Sequence, residues 1–171
     1  VAGSRLSGID ADLIARALGF AANTTSGLNQ WPHEGSDDMF FHPGFAARNL
    51  TIANTFDYVG NLQNPNYEKV GANGLQAAAL MLCGASDRAL FDGVDIIGHQ
   101  DTLFLDAGRA RFRDCRISGS VDFIFGAGTA AFETCAIVSR FRPLMQRNHG
   151  WLTAPSTPRA QAFGFVFFGC K

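Results

Sequence analysis

Asp114-Cys115-Arg116-Ile117 returns as Thr134-Cys135-Ala136-Ile137, and the same short pattern stands earlier as Gly93-Val94-Asp95-Ile96 and Asn49-Leu50-Thr51-Ile52. Measured at the second position, the steps are 44, 21 and 20 residues, and the first reads as two periods of 22. A fixed period of this size with alternating apolar positions marks a solenoid whose coils each contribute short strands. Leucine-rich repeats and parallel β-helices both fit the period. The leucine-rich consensus needs several Leu and an Asn at set offsets, and these coils lack it. They carry β-branched residues, Phe and Gly, with no helical segment inside a period. The expected fold is all-β, a parallel β-helix, right-handed because crossovers between parallel strands nearly always are.

Composition agrees. The chain has 171 residues, 47% hydrophobic and only 17% charged, enough for one domain with a sizeable core. Its 16 Phe and 19 Gly suit short buried strands joined by tight turns. A net charge of −1 offers no polyanion-binding surface, so a nucleic-acid partner is not expected. No apolar run reaches the roughly 18 residues that span a bilayer, so no membrane partner is expected either.

The N-terminal third, residues 1–44, stands apart from the solenoid portion, residues 45–171. Asp10 to Phe20 reads as a short amphipathic helix capped by Asp10 and ended by Gly19. Residues 23–38 and 57–73 read as loops. The first residues lack Met and a basic-then-apolar leader pattern, which points to a processed chain or a piece of a longer one.

Residues one period apart stack on neighbouring strands about 4.8 Å apart. Cys115 and Cys135 should therefore face each other, either bridged or as a ladder of buried thiols. No CxxC motif is present among the four cysteines. Of the histidines, His33, His42, His99 and His149, none pairs at i+3 or i+4 and none repeats at the coil period, so no metal is expected. Asn23-Thr24-Thr25 and Asn49-Leu50-Thr51 match the N-glycosylation pattern, with Asn49 read as lying within a strand.

The repeat also carries a pair of carboxylates. Ile96-Ile97-Gly98-His99-Gln100-Asp101-Thr102-Leu103-Phe104 and Ile117-Ser118-Gly119-Ser120-Val121-Asp122-Phe123-Ile124-Phe125 share Ile, Gly, Asp and Phe at matching offsets. Asp101 and Asp122 are one coil apart, on one face of the solenoid. Two carboxylates so close do not both ionise easily: one pKa rises, the other stays low, and the pair offers an acid and a base at one pH. The competing reading makes both aspartates solvated turn residues.

At these residues the sequence resembles the pectin methylesterases. The family's Gly-Tyr-Gln-Asp-Thr-Leu segment is matched by Gly98 to Leu103, and its Gly-Thr-Val-Asp-Phe-Ile-Phe-Gly segment by Gly119 to Gly126. Its Gln-Ala-Val-Ala-Leu run is similar to Gln76 to Leu80, and Gly150 to Thr157 is similar to the bacterial branch. The match runs from about Phe45 to Lys171. The resemblance implies that Asp122 attacks a galacturonate methyl ester, that Asp101 is the acid and then the base, and that Gln76 and Gln100 hold the oxyanion. It implies Val121, Phe125, Arg142, Asn148 and Trp151 as substrate contacts. Arg142 reads equally as a solvated surface arginine, and Trp151 alternatively as core. His99 stands where the family has an aromatic and reads as lining the groove. The implied substrate is pectin, the implied setting secreted or periplasmic, the implied state monomeric, and no cofactor is implied. Hydrolysis without chain shortening separates this reading from a glycosidase, a lyase, or a polysaccharide-binding member without activity.

The family also carries a later Leu-Gly-Arg-Pro-Trp segment, whose arginine keeps the nucleophilic aspartate ionised. That segment lies beyond Gly169-Cys170-Lys171, and the chain is expected to be part of a longer enzyme. Phe163, Phe165, Val166, Phe167 and Phe168 are then expected to form an exposed apolar last coil.

Overall fold

Ile52, Ile96, Ile117 and Ile137, which close the four copies of the repeated pattern, stand side by side on neighbouring parallel strands. The structure, a computed structural model, describes residues 4–6, 9–10, 44–66, 74–83, 86–143 and 150–171. One sheet holds β4 (Thr51–Asn54), β7 (Asp95–Ile97), β10 (Arg116–Gly119) and β13 (Ala136–Ser139). A second holds β5 (Leu80–Leu82), β8 (Leu103–Leu105), β11 (Ile124–Gly126) and β14 (Thr153–Pro155). The third holds β3 (Ala46–Arg48), β6 (Ala89–Asp92), β9 (Arg109–Arg113), β12 (Thr129–Glu133) and β15 (Phe165–Phe168). The chain visits the three sheets in turn and climbs one strand per circuit. That is a parallel β-helix, as the repeat requires.

Three expectations about the coils and the segment between them need correction. The 44-residue step is one coil, because Ile52 pairs directly with Ile96. The extra length leaves the solenoid between β4 and β5, where the sequence carries no strand pattern. Part of that excursion, read as loop, forms a one-turn helix, α1 (Tyr58–Asn61), with Asp57 accepting at 2.8 Å from the Gly60 N–H at its start. Asn49 is not within a strand but at an exposed corner, with φ of 51°.

That corner repeats. Asn49, Gly93, Asp114, Thr134 and Gly169 all have left-handed backbones, with φ between 51° and 64°. The N–H of Asn49, Gly93, Asp114 and Thr134 each donates to a carbonyl of the next coil, at 2.9–3.0 Å. A left-handed residue turns the chain sharply from the third sheet into the first, and Asn, Asp and Gly adopt it at small cost. The residue after each corner points inward. There Val94, Cys115 and Cys135 are buried, and Cys115 and Cys135 stack as free thiols.

Inside, Phe91, Phe112, Phe132 and Phe167 stack ring on ring, with centroids 4.7, 4.9 and 4.4 Å apart. The strand spacing sets this distance, so a Phe at one position per coil builds a continuous column. Outside, the alternation in β9 puts Arg109, Arg111 and Arg113 on the surface, paired with Asp87, Glu133 and Asp92. Phe163, Val166, Phe167 and Phe168 are exposed, as expected for the last coil, while Phe165 is half-buried against the core.

At the other end, β1 (Ser4–Leu6) pairs antiparallel with β4 and with β2 (Ile9–Asp10). The helix expected over residues 10–20 lies outside the described residues except for Asp10, which belongs to β2 rather than to a cap.

Candidate active site

The turn between the first and second sheets carries the paired carboxylates. Gln100 bridges Val121 in parallel register, and the Asp101 N–H donates to the Val121 carbonyl at 3.0 Å. Asp101 and Asp122 therefore hold equivalent places in successive coils. The Ala77 N–H donates in the same way to the Gln100 carbonyl, at 3.2 Å. Gln76, Gln100 and Val121 thus form one column, and Ala77, Asp101 and Asp122 the next. Trp151 extends the second column: it lies two residues before Thr153, as Asp122 lies two before the Ile124 that pairs with Thr153.

The turn is built by small residues. A Cβ on Gly98 would stand 2.6 Å from Thr102 Oγ1, and a Cβ on Gly119 would stand 2.2 Å from Phe123 Cβ and 2.7 Å from the His99 carbonyl oxygen. Thr102 Oγ1 donates to the His99 carbonyl at 3.1 Å, closing the lower turn. Asp101 and Asp122 take left-handed φ values of 60° and 46°, which aspartate adopts at smaller cost than most bulkier residues.

Asp101 is buried, at 6% exposure. Burial first, and then the charge of Asp122, pushes its carboxyl up to about 7. Asp122 is half-buried, and burial raises its pKa too. Burial is the cause of that rise, and among the described residues no cation offsets it. The pair still separates into a more buried acid and a more accessible carboxylate.

The other expected site residues divide. Gln76 is buried beside the pair and Gln100 half-buried. Val121 sits in the turn itself. Phe125 lies half-buried on β11, stacked on Phe104 at 4.4 Å. Trp151 is 57% exposed on the last described coil. Arg142 is 6% exposed, so it is not a solvated surface arginine. Asn148 lies outside the described residues. Of the four histidines only His99 is described; it stacks face to face on the buried Tyr58 at 4.9 Å, and burial and the nearby Arg140 charge press its pKa down to about 4. Sequence reasoning passed over Tyr58 and Arg140. Arg140 had a signal, since it continues the register of His99 and Ser120 one coil further on.

The pectinesterase family profile matches residues 42–171. The chain belongs to the pectinesterase family. Among curated relatives it is 42% identical to pectinesterase A of Dickeya chrysanthemi over 154 residues, 85% of this chain and 42% of that protein. It is 37% identical to a pectinesterase of Ralstonia nicotianae over 131 residues, 71% of this chain and 30% of that protein. Among solved structures, the pectin methylesterase PemA from Erwinia chrysanthemi matches with a TM-score of 0.68 at 43% identity, over 75% of this chain and 38% of that one. The pectin methylesterase from carrot matches with a TM-score of 0.59 at 31% identity, over 76% of this chain and 35% of that one. The chain spans less than half the length of these pectinesterases. A pectin methylesterase point mutant in complex with a hexasaccharide is also similar, with a TM-score of 0.68.

Proposed function

We propose that the protein hydrolyses the methyl esters of homogalacturonan, releasing methanol and leaving pectate. The observation that carries this reading is the Asp101–Asp122 pair, held in equivalent turns one coil apart with Asp101 raised to about 7, in a chain of the pectinesterase family.

The ionised Asp122 attacks the ester carbonyl carbon, and negative charge gathers on the carbonyl oxygen. The side-chain amides of Gln76 and Gln100 donate hydrogen bonds to it. As the intermediate collapses, the bond to the methoxy oxygen breaks and Asp101 gives that oxygen its proton, so methanol leaves. An acyl-enzyme on Asp122 remains. Asp101, now ionised, takes a proton from water; the hydroxide attacks the acyl carbon and frees both the galacturonate and Asp122. Trp151 offers an exposed aromatic face to a sugar ring beside the nucleophile, while Val121, Phe125, Arg142 and Asn148 complete the substrate contacts. A pectin substrate fits a secreted or periplasmic setting, and we propose that the protein works there as a monomer.

The test is methanol release from highly methylated pectin, with Asp122→Asn as control. Methanol from the parent and none from the variant is the expected result. Binding of pectin without methanol release by the folded protein would overturn the reading.

A further inference from the structure

Arg140 follows β13 directly and is tied to both turns that carry the carboxylates. Its N–H donates to the Gly119 carbonyl at 2.6 Å, in the turn that leads to Asp122. Its side chain passes over that coil, and the guanidinium Nη1 donates at 2.7 Å to the Gly98 carbonyl, in the turn that leads to Asp101. One residue on a third coil thus spans both turns.

Both anchor points are places where the backbone has no slack. Gly98 and Gly119 occupy equivalent register positions in successive coils, and a Cβ on either would collide with the turn's own side chains. Gly98 is bonded on its other side, its N–H donating to the Ser118 carbonyl at 3.1 Å. From the Gly98 carbonyl to Asp101 there are three residues, closed by the bond from Thr102 Oγ1 to the His99 carbonyl. A shift at Gly98 is therefore handed to Gln100 and Asp101. The guanidinium is half-buried, and a charged group gives up solvent only where it gains strong directed bonds.

We infer that Arg140 is a positioning residue for the proposed ester hydrolysis: it clasps the turn of Asp101 to the turn of Asp122 and so fixes the spacing of acid and nucleophile. The inference rests on the esterase reading for its catalytic consequence, but the clasp itself is a statement about the two turns. Loosening it lets water reach the Asp101 carboxyl and widens the pair, and both changes lower the affinity of Asp101 for its proton.

The test compares the parent with Arg140→Met, Arg140→Gln and Arg140→Lys. Met keeps the stem without a donor, Gln is too short to reach Gly98, and Lys restores a donor of similar reach. Two quantities are read: the titration of the Asp101 carboxyl carbon by NMR, assigned with Asp101→Asn, and the kinetics of methanol release. In Met or Gln, whichever folds, the Asp101 midpoint is expected to fall by about one pH unit or more, with kcat down about tenfold and KM nearly unchanged. Lys is expected to recover most of both. An unmoved Asp101 midpoint in a folded Met or Gln variant, or a Lys variant as impaired as Met, overturns the clasp. The titration needs no turnover. A parent that releases no methanol would count against the esterase reading alone, and the clasp would still be decided.

Discussion

Asp101 and Asp122 occupy the same place in successive coils, and both hold a left-handed backbone, with φ of 60° and 46°. The repeat thus delivers two carboxylates in one conformation to one face. Only their burial tells them apart, and that difference makes one an acid.

The first consequence is in the pH profile. Asp101 must carry its proton to act as acid, and it holds that proton up to about pH 7. Asp122 must lose its own, and burial raises its pKa above the ordinary carboxylate value. Methanol release is expected to follow a bell in kcat/KM whose alkaline limb falls near pH 7, both limbs belonging to the coupled pair. A rate that stays flat from pH 6 to 9 would remove Asp101 from the role of acid.

A second consequence concerns stability. The unfolded chain releases the Asp101 proton near pH 4, whereas the folded protein keeps it to about 7. Below about pH 4 both states are protonated and pH has no leverage through this group. Between those limits the folded state holds the extra proton, so stability declines as pH rises and levels off above about 7. Asp101→Asn removes this penalty and fits the left-handed turn. It is expected to abolish activity and to stabilise the protein at pH 8 by about 2–4 kcal/mol, with little gain at pH 4. Thermal melts at the two pH values check this; an equal shift at both would show that the gain has another source.

Gly119→Ala tests the turn itself. The new methyl would press on Phe123 and on the His99 carbonyl. Relief requires the Asp122 turn to move away from the Asp101 turn. The expected outcome is a loss of about 1–3 kcal/mol of stability and a fall in kcat of about a hundredfold. Urea unfolding and methanol kinetics measured on one preparation separate the two effects, and an unaltered kcat would mean that the turn tolerates the displacement.

Thr134 is the one β-branched residue among the five left-handed corners, where Asn, Gly, Asp and Gly serve the other coils. Its hydroxyl bonds Asp114 in the neighbouring corner, which offsets part of the strain. Thr134→Asn keeps a polar side chain and removes the branch. An increase in stability of about 1 kcal/mol is expected from the urea midpoint. A decrease would show that the bond to Asp114 outweighs the backbone cost.

Much of this was legible in the sequence. The spacing of Cys115 and Cys135, and of Asp101 and Asp122, is a property of the chain alone, because stacked coils translate sequence period directly into neighbourhood. Period therefore named the fold and the paired carboxylates, while the column of Phe91, Phe112, Phe132 and Phe167 came from the structure. Gln76, Arg142 and Trp151 came from the resemblance, since no periodicity singles them out.

The tertiary structure decided the rest, because those questions concern what faces a residue rather than what precedes it. The 44-residue interval from Leu50 to Val94 could be two coils or one coil with an excursion, and only the pairing of Ile52 with Ile96 resolves it. The facing thiols of Cys115 and Cys135 could be bridged or free, and they are free. Whether an aspartate in a turn is solvated or buried depends on atoms brought from other coils. The chain itself determined that Asp101 and Asp122 would stand together; the packing around them determined that Asp101 holds a proton near neutral pH, because desolvation belongs to the assembled surroundings and not to any stretch of sequence.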